Sequence, residues 1–279
     1  MKRGPRTLLA DPTAVDRRGM RILFLGDVVG KPGWRALRRV VPRLIDTESI
    51  SLVVANGENV AGGAGIDVAG AQALFDAGVD VVTSGNHVWR RSEIVERLAT
   101  DTRFLRPANF PPGTPGVGWT VCETADGTMV GIVNLIGRVF MAALDCPFRA
   151  VEAVLLELRG RAGVIVVDMH GEATSEKVAM GWFLDGRVSA VLGTHTHVQT
   201  ADERILPGGT AYMTDVGMCG PMDSVIGIRR ELVIQRFLTQ MPVKFEVAGG
   251  PVLVQGALVD IDPVSGRATA VRRVQQVCE

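Results

Sequence analysis

From Met20 onward, short apolar runs alternate with segments of helical periodicity. Residues 22–25, 52–55 and 79–83 are β-branched or aliphatic, and amphipathic segments lie between them. Such alternation is typical of β-α units built around a mainly parallel sheet. No linker and no internal repeat interrupts it, so we predict that residues 20–279 form a single domain of two packed sheets flanked by helices.

Three local features refine this prediction. Pro42 should kink or shorten the first helix, and Ser92 can cap a short helix that ends near residue 98. Beyond residue 200 the strand-like runs include residues 231–238, and antiparallel hairpins in this part would make the second sheet. Residues 1–19 are polar and have no clear period, so we expect a loosely ordered extension.

The composition excludes several classes of protein. Hydrophobic residues make up 47% and charged residues 22% of the chain, as in a soluble globular protein. Thirty basic residues balance thirty acidic ones, which argues against a stable nucleic-acid complex or a membrane-binding surface. No apolar run approaches the roughly 20 residues that span a bilayer, and no secretory signal is evident. The four cysteines form no C-x-x-C pair, so we expect reduced thiols in a cytoplasmic protein.

Residues able to do chemistry cluster at the ends of the predicted strands. Asp27 follows the first strand, the sequence N-G-E-N at 56–59 follows the second, and S-G-N-H at 84–87 follows the third. Later strands end at 168–170 and 193–197, and all four histidines of the chain lie in these segments. Ligands of open α/β sheets bind at the carboxyl ends of strands, and neutral imidazole is a common metal ligand. Several separate loops are therefore predicted to form one metal site.

Each of these residues alone has a simpler explanation. Asp27 could cap the following helix, Asn59 could occupy a left-handed turn, and His170 could be a hydrogen-bonded core histidine. The joint pattern favours metal binding, because His195 and His197 form an H-x-H pair that can aim both rings one way if the backbone turns.

The glycine-rich segment around Lys31 does not match a phosphate-binding loop. A P-loop needs four residues between its glycines and a Ser or Thr after the lysine. Here three residues separate Gly26 from Gly30, and a proline follows the lysine. The glycine spacing also departs from the dinucleotide-binding fingerprint. Asp27 is therefore the residue of this segment that we expect to bind a ligand, and that ligand is a metal.

Two carboxylates set the charge of the predicted site. Asp27 and Glu58 supply two negative charges, so two divalent ions with a bridging hydroxide would keep a net charge of about +1 and attract a phosphate ester. A paired metal site of this kind clamps the attacking and leaving oxygens during in-line displacement. The pattern therefore favours phosphoester hydrolysis.

The strand-end motifs resemble those of the calcineurin-like metallophosphoesterase superfamily, which run D-x-H, G-D-x-x-D, G-N-H-[DE], a lone His and G-H-x-H. Val29 replaces the first histidine, Glu58 the bridging aspartate, and Val88 the acidic partner of G-N-H. These departures, together with the sequences GDVVGKPG, NGENVAGG, SGNHVW, HGEATSEK and TDVGMCGP, resemble the YmdB-like branch of bacterial phosphodiesterases. The resemblance extends from about Met20 to the C-terminus.

The resemblance implies a four-layer α/β/β/α sandwich of two mixed sheets flanked by helices, with a two-metal site that holds iron or manganese. It implies hydrolysis of 2′,3′-cyclic nucleotides or related small phosphodiesters by attack of a metal-bridging hydroxide, with His87 as the general acid for the leaving oxygen. By position, one metal would take Asp27, Glu58, Asn59 and His197, and the other would take Glu58, Asn86, His170 and His195.

Two other functions stay open at this point. A regulatory nucleotide- or RNA-binding protein could hold its ligand on the metal pair with little turnover. An amidohydrolase-like metal hydrolase in a barrel is less favoured, because only two carboxylates are present and the late hairpins do not fit a barrel. Asp215 lies in a family-like stretch and could orient a metal-bound histidine. The apolar C-terminal hairpins could form the interface of a homo-oligomer.

Overall fold

Residues 19–279 are described by a computed structural model of the protein and form thirteen strands and six helices. The predicted extension therefore lies outside the described residues, except for Gly19. No helix in the described range is both long enough and apolar enough to cross a membrane.

The strands are β1 (Met20–Leu25), β2 (Asp27–Val28), β3 (Leu52–Asn56), β4 (Val81–Thr83), β5 (Trp119–Glu123), β6 (Met129–Ile136), β7 (Val164–His170), β8 (Ala190–Thr194), β9 (Arg204–Ile205), β10 (Ala211–Met213), β11 (Met218–Pro221), β12 (Val252–Ile261) and β13 (Ala268–Cys278). The helices are α1 (Gly30–Glu48), α2 (Val68–Asp76), α3 (Ile94–Thr100), α4 (Pro147–Leu158), α5 (Thr174–Leu184) and α6 (Arg230–Thr239).

Both sheets are mixed. The first has seven strands in the order β2-β11-β12-β1-β3-β4, with β13 paired to β12. In it β1, β3 and β4 run parallel, whereas β12 runs antiparallel to β1, with Met20 opposite Ile261. The second sheet has six strands in the order β5-β6-β7-β8-β10-β9. Its four central strands are parallel, and its edge strands β5 and β9 are antiparallel to their neighbours.

Alternation along the strands divides the buried apolar side chains among three layers of core. In β1, Ile22 and Phe24 pack between the sheets, whereas Leu23 and Leu25 face the helices. Helices α1, α2 and α3 cover the outer face of the first sheet, and α4 and α5 cover that of the second. Each large apolar side chain buried in this way contributes about 1.5–3 kcal/mol. The four-layer α/β/β/α sandwich expected from the sequence is confirmed, and the alternative barrel is excluded.

The predicted shortening of α1 at Pro42 and the predicted Ser92 cap of α3 are wrong. Helix α1 continues through Pro42 to a length of 19 residues. Pro42 is exposed, while Leu37 and Val41 keep the inner face of the helix packed on the sheet. Helix α3 begins at Ile94 after Glu93 rather than after a Ser92 cap, because a backbone turn from Ser92 O to Val95 N (3.2 Å) occupies these residues.

The prediction for the C-terminal third is also partly wrong. Residues 231–238 form helix α6 instead of a strand, since their apolar residues repeat at helical spacing and only Val233 is buried. The late antiparallel hairpin, β12 with β13, joins the first sheet through β1 instead of making the second. The second sheet comes from β5 to β10, in the middle of the chain.

Candidate metal centre

The carboxyl ends of strands from both sheets meet at one edge of the sandwich. Asn56, the last residue of β3, donates a hydrogen bond to the Asp168 carboxylate of β7 at 3.1 Å. Thr83, the last residue of β4, donates to the same carboxylate at 2.5 Å. His170 ends β7 and Thr194 ends β8 beside them. The predicted convergence of separate loops is therefore present in the fold.

The four residues that the resemblance assigns to the first metal contact one another. Asp27 Oδ1 lies 3.7 Å from His197 Nε2, and Asn59 Nδ2 lies 3.1 Å from the same nitrogen. Asn59 Nδ2 also donates to Glu58 Oε1 at 3.2 Å. Asp27 is fully buried, and its Oδ1 accepts no hydrogen bond from the described residues. A buried carboxylate oxygen without a donor is costly, so a cation fits this position.

The residues assigned to the second metal form a contact group around His170. Its Nε2 lies 3.3 Å from Glu58 Oε2, 3.0 Å from Asn86 Oδ1 and 3.1 Å from His195 Nδ1. Ligand atoms of Glu58, His170 and His195 all lie within 4.8 Å of one another. Glu58 belongs to both groups, because one of its oxygens faces Asn59 and the other faces His170. The donor set of carboxylate, amide and imidazole fits a first-row metal ion.

Burial and charge shift the pKa values of these groups strongly. Burial raises the pKa of Asp27. Burial alone would lower the pKa of His170, but the charges of Glu58 and Asp27 outweigh it and raise this pKa to about 9. Burial would raise the pKa of Glu58, but the charge of His170 outweighs it and holds this pKa well below its usual value. Burial, aided by the charge on His170, lowers the pKa of His195 to about 3. Glu58 and His170 thus stabilise each other's charge, whereas burial favours the neutral forms of Asp27 and His195.

A turn in the backbone aims the H-x-H pair. His195 has φ 101° and His197 has φ 64°, both in the left-handed region that non-glycine residues rarely occupy. Thr196 anchors the turn, because its backbone N and its Oγ1 donate to Asp215 Oδ2 at 3.0 and 2.7 Å. Asp215 also accepts from Lys177 Nζ at 2.9 Å. The interpretation that Asp215 orients a histidine ring is therefore wrong, since Asp215 holds the loop between the two histidines.

The ring of His170 is oriented by a pair of residues that the sequence analysis did not single out. His170 Nδ1 lies 2.9 Å from Thr194 Oγ1, which donates to Asp168 Oδ1 at 2.7 Å. Burial raises the pKa of Asp168 to about 6. The contact at Nδ1 leaves Nε2 facing the other predicted ligands. A signal existed, because Asp168 stands two residues before His170 and therefore on the same face of the strand.

The glycine of the G-N-H motif, Gly85, packs directly against two predicted ligands, His170 and Glu58. A Cβ at this position would overlap the imidazole of His170 and the carboxylate of Glu58. Only glycine therefore lets the chain carry Asn86 and His87 to the centre.

The ring of His87 is held without the acidic residue that Val88 replaces. His87 Nδ1 lies 2.8 Å from Asn59 Oδ1 and 3.3 Å from Glu58 Oε1, and its backbone N donates to Glu58 Oε2 at 3.2 Å. Val88 is buried in the core. With 26% of its side chain exposed, His87 lines the cavity beside the centre. The amide of Asn59 takes the place of the missing carboxylate.

A cavity of about 840 Å³ opens at the centre. Glu58, Asn59, His87, His195 and His197 line its inner end. Its other walls include residues that sequence reasoning missed, since arginine and phenylalanine side chains carried no strand-end signal: Arg90, Arg236, Phe237 and Phe245.

The loop that carries Asp27 contributes only this residue to the centre. Lys31 lines a separate cavity together with Trp34 and Arg38. The N-cap of α1 is Val29, and no side chain caps the helix, so the alternative of Asp27 as a cap is wrong. The site residues predicted from the sequence all lie in the contact groups described above: Asp27, Glu58, Asn59, Asn86, His87, His170, His195 and His197.

Comparison with known proteins points to one family. Residues 23–274 match the family model described as YmdB-like protein. A relative from Bacillus subtilis, named 2′,3′-cyclic-nucleotide 2′-phosphodiesterase, is 47% identical over 255 residues, which cover 91% of this chain and 96% of that protein.

Solved structures agree with this match. A crystal structure of a hypothetical protein from Thermus thermophilus is 44% identical, with a TM-score of 0.87, and the match covers 92% of this chain and 99% of that one. The crystal structure of a novel phosphatase from Mycoplasma pneumoniae is 32% identical with the same TM-score, and the match covers 93% and 94% of the two chains. The Bacillus subtilis relative carries a name of the enzyme class that the sequence predicts, and the chain belongs to the YmdB-like family.

Proposed function

We propose that the protein is a metal-dependent phosphodiesterase with a two-metal centre, which hydrolyses 2′,3′-cyclic nucleotides or related small phosphodiesters. The observation that carries the proposal is the buried carboxylate of Glu58, whose two oxygens face two separate groups of predicted ligands beside an open cavity. The name of the Bacillus subtilis relative, a 2′,3′-cyclic-nucleotide 2′-phosphodiesterase, supports the substrate class.

The contact groups suggest how the ions would be held. Asp27, Asn59 and His197 would bind one ion, Asn86, His170 and His195 the other, and Glu58 would bridge them. The mixture of carboxylate, amide and imidazole ligands supports iron or manganese. When bound, two such ions supply the nucleophile and neutralise charge that develops on the phosphoryl oxygens.

His87 would act as the general acid. Because its Nδ1 contacts Asn59 Oδ1, its Nε2 is the nitrogen left to face a substrate in the cavity. Proton donation to the leaving oxygen by a positioned imidazole contributes about 10²–10⁴-fold to the rate.

Metal removal tests the proposal directly. Chelator-treated protein should hydrolyse neither 2′,3′-cyclic AMP nor bis(p-nitrophenyl) phosphate, and manganese or ferrous iron should restore both activities. Elemental analysis of the reloaded protein should give two ions per chain. Full activity after complete metal removal, or no hydrolysis by the reloaded protein, would contradict the proposal.

The His87→Ala variant tests the role of the general acid. We expect kcat to fall about 10²–10⁴-fold. The number of bound metal ions should stay at the wild-type value, because His87 is not a proposed ligand. A wild-type kcat would assign proton donation to another group. The alternative of a binding protein with little turnover is not favoured, since the Bacillus subtilis relative is named for catalysis.

The proposal takes residues 20–279 as one catalytic domain in the cytoplasm. All four cysteines are free, which supports a reducing compartment. Homo-oligomer formation stays a prediction.

A further inference from the structure

The cavity beside the metal centre has an apolar side that phosphodiester chemistry alone does not use. Three exposed side chains form this side, which we call the aromatic wall: Ile226, Phe237 and Phe245. Their exposed fractions are 51%, 72% and 47%. In the described part of the chain neither phenylalanine pairs with another aromatic ring. Large apolar side chains grouped around one cavity mark a binding surface.

The aromatic wall and the metal centre line one cavity, and the backbone of Ile226 contacts the centre. His197 Nδ1 lies 3.0 Å from the backbone oxygen of Ile226. His87 and His195 line the same cavity as Phe237. A volume of about 840 Å³ is within the usual range of about 300–1,000 Å³ for small-molecule sites. A ligand whose phosphorus lies at the metal centre can therefore also reach the wall.

The charges around the cavity favour an anion. Arg90 and Arg236 belong to its lining, and Glu58 is the single acidic residue there. Arg236 Nη1 donates to Gln240 O at 2.8 Å, which anchors the guanidinium at one nitrogen, and its other N–H groups make no hydrogen bond to residues 19–279. An anionic ligand with a flat apolar part matches both the arginines and the wall.

We propose that the aromatic wall binds the base of a nucleotide substrate while the cyclic phosphodiester lies at the metal centre. This inference rests on the proposed function and names the part of the substrate that the metal centre does not recognise. Every base has a π-face that can stack on phenylalanine, so purine and pyrimidine nucleotides should both be accepted. Phe237 is then a specificity-determining residue that separates nucleotides from other phosphodiesters.

The test compares two cyclic diesters on metal-loaded, full-length protein. The substrates are 2′,3′-cyclic AMP and methyl ribofuranoside 2′,3′-cyclic phosphate, which has the same ring but no base, and hydrolysis is followed by phosphorus NMR. The variants are Phe237→Ala, Phe237→Trp and, as matched control, Leu238→Ala. Leu238 is 80% exposed on the same helix and does not line the cavity.

For Phe237→Ala, the ratio of kcat/KM for the nucleotide to kcat/KM for the base-free diester should fall about 5- to 150-fold, the usual strength of one base–aromatic stack. Phe237→Trp should restore the ratio, and Leu238→Ala should keep the wild-type value. An unchanged ratio in Phe237→Ala overturns the inference. An equal fall of the ratio in Phe237→Ala and Leu238→Ala also overturns it. If the sedimentation coefficient of these variants also differs from that of wild type, the wall is assigned to contact with a second copy of the chain.

A separate measurement distinguishes failure of the inference from failure of the proposed function. If metal-loaded wild-type protein hydrolyses neither diester, the proposed function fails. The base site is then judged by calorimetric titration with adenosine 3′-monophosphate. Weaker binding by Phe237→Ala than by Leu238→Ala supports the site, and equal binding overturns it.

Discussion

The buried pair of Lys177 and Asp215 should stabilise the loop that carries the H-x-H histidines. Lys177 is 1% exposed, and its Nζ lies 2.9 Å from Asp215 Oδ2 and 3.2 Å from Thr194 O. Lys177→Met keeps most of the side-chain volume but removes the positive charge. Asp215 then stays buried with hydrogen bonds from Thr196 and Gly217 but without a counter-charge.

The expected loss in the free energy of unfolding depends on the burial of the pair rather than on the distance between the charges. Removal of one partner of a buried ion pair costs about 3–5 kcal/mol. The hydrogen bonds that Asp215 keeps favour the lower end, about 3 kcal/mol, which corresponds to a Tm about 6–12 °C lower for a chain of this size. Arg229 and Glu246 form an exposed pair at 3.0 Å, with side-chain exposures of 50% and 54%. Arg229→Met should therefore cost less than about 1 kcal/mol.

Urea denaturation of metal-free protein, followed by tryptophan fluorescence, gives the free energy of unfolding of both variants. Metal-free conditions keep changes in metal affinity out of this comparison. A Lys177→Met variant within about 1 kcal/mol of wild type would contradict a stabilising role of the buried pair, as would an equal loss in Arg229→Met. In the metal-loaded state the same variant should bind metal more weakly, because Asp215 anchors Thr196 between the two histidines.

Two further predictions concern single positions. Gly85→Ala should lower the metal content and kcat, because the added methyl group overlaps two predicted ligands, His170 and Glu58. Gly249→Ala is the control and should leave both unchanged, because nothing lies within 4 Å of a Cβ at that position. An active, fully metal-loaded Gly85→Ala variant would contradict the prediction. Hydrogen bonding from Arg103 lowers the pKa of Asp101 from 3.8 to about 2. The ionised carboxylate therefore stabilises the fold above pH 4, and this contribution is lost as the pH falls towards 2. Asp101→Asn should accordingly be less stable than wild type above pH 4, and the difference should shrink towards pH 2. Urea midpoints of wild type and variant at several pH values measure this, and a constant difference down to pH 2 would contradict it.

The convergence of the proposed ligands could be predicted from the sequence because strand ends are local features. Asp27, Glu58 and His170 each follow an apolar run, and the topology of a parallel sheet brings such positions to one edge without knowledge of side-chain contacts. The presence of Val88 in place of an acidic residue was visible in the same way. The contact of the Asn59 amide with His87, which takes over the role of that acidic residue, was not visible. It joins two loops whose relative position depends on packing.

The C-terminal third was harder to predict because its pattern is ambiguous. Short apolar runs fit a strand or one face of a helix, and α6 buries only Val233. The membership of β12 in the first sheet depends on pairing with β1, more than 200 residues earlier in the chain, which no local pattern records. The aromatic wall was missed for the same reason, since Phe237 lies on the exposed part of α6 and acquires a role only beside His197.

The Asp168 carboxylate joins Asn56 and Thr83 of one sheet to Thr194 of the other. Metal affinity should therefore appear only late in folding, after the two halves of the sandwich have docked. A partly folded chain with a single completed sheet would present only part of the predicted ligand set and should not hold a metal ion stably. Stable metal binding would then require both sheets, and a bound ion would in turn hold the two halves together.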